Sequence, residues 1–136
     1  MGQTNITPYD STADASSHPI TLGWTPTAGR TIIIFANAGA VITTPTGFTY
    51  VDSALGNSQL ACYYKVADGS EGGSITLNLA GSVSCNALII ERDDLTGSIV
   101  DVFTHGDNGG VAGTSISTGT TAATAQAAEQ AYALFG

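Results

Sequence analysis

Positive charge is the scarcest resource in this chain. Three basic side chains, Arg30, Lys65 and Arg92, stand against eleven acidic ones in 136 residues, for a net charge of -8 and an isoelectric point near 4.1. A protein with no basic patch has nothing to neutralise phosphates and release their counterions, so nucleic acid is excluded as a partner. Charge of either sign is rare, at 10% of residues against ~25% in an ordinary soluble domain, which leaves neutral Thr, Ser, Gly and Ala to cover the surface. No apolar run approaches the ~18 residues of a membrane span. Residues 1–19, MGQTNITPYDSTADASSHP, have neither the basic start nor the apolar stretch of a signal peptide, and no membrane association is expected. Cysteine is limited to Cys62 and Cys85, both in alternating apolar runs where a free thiol packs as a small hydrophobe. A core role is expected for both, with a disulfide or a metal as the alternatives.

Sequence signals of catalysis are equally sparse. No G-x-S-x-G, phosphate-cradling or dinucleotide-binding pattern occurs. His18 and His105 are the only imidazoles; one precedes Pro19 at a strand edge and the other opens a glycine loop, so both are expected to be solvated or locally bonded. ERDDL (91–95) gathers Glu91, Asp93 and Asp94, and paired carboxylates can hydrolyse glycosides. On a strand, however, Glu91 and Asp93 share a face while Asp94 points away, which reads as a solvated strand end. HGDNGG (105–110) offers Asp107 and Asn108 as oxygen ligands, too few for calcium. No catalytic residue, cofactor or metal ligand is expected.

What the chain does have is period-two patterning broken by glycine and proline about every ten residues, the spacing of an all-β sandwich or barrel. PITLGW (19–24) alternates Ile20, Leu22 and Trp24 against Thr21, Gly23 and Thr25. RTIIIFAN (30–37) is a short continuous β-branched and aromatic run, expected to be a central strand buried on both faces. SQLACYYKVA (58–67) sets Leu60, Cys62, Tyr64 and Val66 on one face and Ala61, Tyr63, Lys65 and Ala67 on the other. DGSEGG (68–73) is a dense turn signal, and SITLNLA (74–80) points Ile75, Leu77 and Leu79 inward. VSCNALIIE (83–91) and SIVDVF (98–103) follow as further strands, then TSIST (114–118) and an ambiguous tail at 121–135.

Residues 1–17 show no period and read as an extended N-terminal arm anchored by Ile6 and Tyr9, with the domain proper at 18–136. AYALF at the end looks like the onset of a core strand, so the domain is expected to continue in a longer parent or to be completed by a neighbouring subunit.

The order TPTAGRTIIIFANA, TPTGFTYVD (44–52), LACYYKVADGSEGGSITLNLA and ALIIERDDLTG resembles the jelly-roll β-sandwich domains of tailed-bacteriophage virion proteins and some bacterial surface proteins. The likeness covers about residues 20–125 and its motifs are structural. It implies an antiparallel, jelly-roll-like β-sandwich in which Pro45, Gly47 and Phe48 form a corner with the aromatic in the core. It also implies a non-enzymatic virion subunit of the capsid-decoration or head/tail-appendage type, located in the virion and assembling with other virion proteins and with its own copies. The alternative reading is a carbohydrate-binding or receptor-binding adhesin that meets a host-surface glycan. Ile6, Tyr9 and Trp24 are the expected partner contacts.

Overall fold

The computed structural model describes residues 3–54 and 59–95. These residues form β1 (Gln3–Thr21), β2 (Thr31–Ala38), β3 (Ile42–Thr43), β4 (Thr49–Ala54), β5 (Gln59–Val66) and β6 (Ser74–Arg92), and among them there is no helix. The protein is all-β. The six strands belong to one antiparallel sheet in the order β1-β6-β2-β5-β4, with β3 paired to β6 off that path. The strands expected at 98–103 and 114–118, the tail, His105, Asp107 and Asn108 lie outside the described residues.

β2 is central because its stiff β-branched side chains suit a pleated backbone with both faces covered. It lies between β6 and β5, and all but Asn37 of its residues are buried. Its odd and even positions feed two apolar clusters. Ile32, Ile34 and Ala36 join Ala61, Tyr63, Cys85, Ala87 and Ile89 on the inner face. Ile33 and Phe35 join Ile90, with Cys62, Tyr64, Leu88 and Leu95, on the outer face. The two cysteines are therefore free and on opposite faces of the sheet.

SITLNLA and VSCNALIIE are one strand, not two. β6 runs 19 residues through Gly81. Its first half pairs with β3 and with residues 17–21 of β1; its second half pairs with β2 and with residues 3–11 of β1. Register shifts between Ser11 and Ala15 and between Ala15 and Ser17 are bulges of the kind that bend a strand and raise its twist. The bend brings Ile75, Leu77 and Leu79 into the same cluster as Ile89 and Tyr63, so a single curled sheet encloses the inner core.

The expected boundary between an arm at 1–17 and a domain at 18 falls inside β1, which is a paired strand from Gln3 onward. The reason is visible in its parity. Thr7 is buried and Asn5, Tyr9 and Ser11 are half-buried, whereas Ile6, Pro8 and Asp10 are exposed. The inward positions carry polar groups, and hydrogen bonds hold those of Asn5, Thr7 and Tyr9, so hydrophobic periodicity cannot reveal them.

The TPTGF stretch is a turn: Phe48 N donates to Pro45 O (3.0 Å), and Gly47 takes φ 80°, the left-handed value that the third position of a type II turn demands. Phe48 packs half-buried against the inner core.

Candidate functional site

Chemistry-bearing side chains gather at two inward-facing nodes. The first is Glu91, the inward residue near the end of β6 and 0% exposed. Its Oε2 accepts from Asn5 Nδ2 (2.6 Å) and lies 3.3 Å from Arg30 Nη1, while its Oε1 accepts the backbone N–H of Thr27 (2.6 Å). One carboxylate thus ties β1, the 25–30 turn and β6 together. This differs from the solvated strand end read from ERDDL. The period-two rule places Glu91 correctly on Ile89's face, but composition gave no sign that the turn before β2 would bring donors to it. Asp93 is exposed. Asp94 accepts from Arg92 Nε (3.0 Å) and Nη2 (2.8 Å), and this guanidinium holds the Asp94 carboxyl below its ordinary value. The three acids do not converge.

The second node is His18, 2% exposed. Its Nε2 faces Ala15 O (3.0 Å) and Val83 O (2.9 Å) and so carries a hydrogen, while Nδ1 meets the Tyr9 hydroxyl at 3.1 Å. The ring closes the bulged stretch of β1 onto β6. Two residues before Tyr9 on β1, Thr7 Oγ1 accepts from Trp24 Nε1 (2.8 Å) and donates to Leu22 O (2.6 Å). Of the three expected partner contacts, Tyr9 and Trp24 are half-buried against the inner core, and Ile6 is 46% exposed on the other face of β1.

Other polar groups serve the turns. The Lys65 ammonium lies 2.8 Å from Glu71 Oε1. Glu71 also accepts the N–H groups of Asp68 (2.8 Å) and Gly69 (2.9 Å). Burial raises the Glu71 carboxyl, but Lys65 and these N–H donors outweigh it and hold the group below its usual value. The hydrogen bond to Glu71 raises Lys65. Tyr63 donates to Ile42 O (3.0 Å), and Ile42 N donates to the buried Gln59 Oε1. Burial and the nearby Asp52 charge push the Cys62 thiol up to about 12, far from the lowered value of a nucleophilic cysteine.

A shallow cleft of about 230 Å³ lies where the end of β2 meets the middle of β6, lined by Asn37, Ala38, Gly39, Ser84 and Asn86. The Asn86 amide nitrogen points to Asp10 Oδ1 (2.6 Å) and Cys85 O (3.1 Å). Asn37 Oδ1 is enclosed and has no hydrogen-bond partner among the described residues. The polar side chains of its described lining are the Asn37 and Asn86 amides and the Ser84 hydroxyl. Among the described residues, no three His, Cys, Asp or Glu side chains are grouped to hold a metal ion. Compared with known protein families, characterised proteins and solved structures, the chain matches none.

Proposed function

We propose that this chain is a non-enzymatic structural subunit of a tailed-phage virion, a capsid-decoration or head/tail-appendage protein of the jelly-roll β-sandwich class that works through assembly contacts. One observation carries the reading. Among the described residues, four buried polar side chains, Glu91, His18, Thr7 and Gln59, bond backbone groups that lie along or beside the sheet, so these polar groups stiffen it. A rigid, weakly charged β scaffold suits a repeated contact surface in an assembly. The sequence likeness to phage virion domains supplies the rest. Its partners are other virion proteins and further copies of itself.

Imaging of intact particles from a phage encoding this chain tests the reading: the β1–β6 sheet is expected to fit density on the head or tail at symmetry-related positions. Particles lacking it, together with glycan-array binding that is lost in Trp24→Ala or Tyr50→Ala, would replace the reading with the adhesin alternative.

A further inference from the structure

The sequence contains three Lys and Arg residues in all, and the fold engages each with a carboxylate of its own chain. Arg30 lies 3.3 Å from Glu91, Lys65 2.8 Å from Glu71 and Arg92 2.8 Å from Asp94. The side chains of Lys65 and Arg92 are 20% and 6% exposed, and Arg30, the most open at 31%, is matched by a wholly buried carboxylate. Among the described residues the exposed charged side chains are acidic, Asp10, Asp14, Asp68 and Asp93.

We infer that this protein has no lysine or arginine to give to an interface: its electrostatic partner is a basic surface on a different protein, and two copies of the chain meet only through uncharged surface and only when salt screens their repulsion. The inference rests on the assembly reading above and adds the class of partner and its control by ionic strength. With a net charge of -8, approaching copies repel over a Debye length of ~10 Å at 0.1 M salt, shrinking to ~3 Å at 1 M. A basic partner is steered inward by the same field. An ordinary ion-paired interface weakens with salt, so the sign of the salt effect is diagnostic.

Sedimentation velocity of the full chain, from low salt to about 1 M NaCl, reads that sign. The expected result is monomer at low salt and an association constant that rises about tenfold, the equivalent of ~1.4 kcal/mol of screened repulsion. Asp14→Lys with Asp93→Lys loses two carboxylates and gains two ammonium groups, taking the net charge from -8 to -4, and is expected to move that rise to lower salt. Circular dichroism checks that the variant is folded. Decalysine is the basic probe, expected to bind at low salt and to be released at high salt. Oligomers that form at low salt and dissociate as salt rises would overturn the inference, as would failure of decalysine to bind. A chain that is monomeric at every salt concentration yet binds decalysine overturns the salt-driven self-association, upholds the basic partner and removes the homo-oligomer from the proposed function.

Discussion

Truncating Glu91 to alanine tests whether one buried carboxylate organises the end of the sheet. Wholly buried, it accepts Asn5 Nδ2 and Thr27 N–H, both at 2.6 Å, and faces Arg30 at 3.3 Å. The variant strands these donors without an acceptor. Hydrogen bonds to charged groups are worth ~1.5–3 kcal/mol each. The Arg30 share is small because its side chain is 31% exposed and water solvates it once Glu91 is gone. The Asn5 and Thr27 bonds therefore dominate, and the loss comes to about 3–5 kcal/mol. At about 3–5 °C per kcal/mol for a domain of this length, Tm falls by roughly 10–25 °C. Arg30→Ala should cost ~1 kcal/mol or less, and Glu91→Gln should fall between, since its amide keeps one acceptor but aims an N–H₂ at a donor. Urea unfolding followed by the fluorescence of the single tryptophan, Trp24, measures all three variants. A Glu91→Ala midpoint close to wild type, or Arg30→Ala as damaging as Glu91→Ala, would refute the hub.

Four further outcomes are expected. Deleting residues 1–17 strips the partner strand from β6 residues 83–92 together with the Asn5, Thr7 and Tyr9 bonds, so the remainder should lose its cooperative unfolding transition; a sharp melt would show that β1 is dispensable. His18→Ala leaves Ala15 O and Val83 O without their donor and a hole in the core, costing about 2–4 kcal/mol, against ~1 kcal/mol for Tyr9→Phe, by the same urea assay. Gly47→Ala puts a Cβ in ordinary contact with Lys65 at 3.5–3.7 Å, so its cost of about 1–2 kcal/mol is the left-handed backbone alone; no loss of Tm would contradict the turn. The Cys62 thiol, raised from 9.0 to about 12 by burial and then by Asp52, and the Tyr63 hydroxyl, raised from 10.0 to about 12 by burial and then by Tyr50 and Cys62, stay protonated in the folded state while the unfolded chain ionises. Their stabilisation is intact below pH 9 and is lost as pH climbs toward 12, at up to ~1.4 kcal/mol per pH unit for each group. Urea midpoints should therefore fall between pH 9 and 11, and a flat profile would refute the assignment.

Local pattern alone determined the all-β class, the central place of the TIIIFANA run, the face parity of Tyr63 and Tyr64, the inward set Ile75, Leu77 and Leu79, and the Pro45–Gly47 turn. Each follows from side-chain alternation or from a backbone angle that glycine alone adopts freely, properties a few neighbouring residues settle among themselves. Only the tertiary structure decided that residues 3–17 are a strand, that 74–92 is one strand rather than two, and that Glu91 and His18 are buried. In each case the deciding partner is distant in the chain: Asn5 is 86 residues from Glu91, and Val83 is 65 from His18. A buried polar side chain must have its donors or acceptors met, and here Asn5 and Thr27 for Glu91 and Val83 for His18 come from outside any local sequence window.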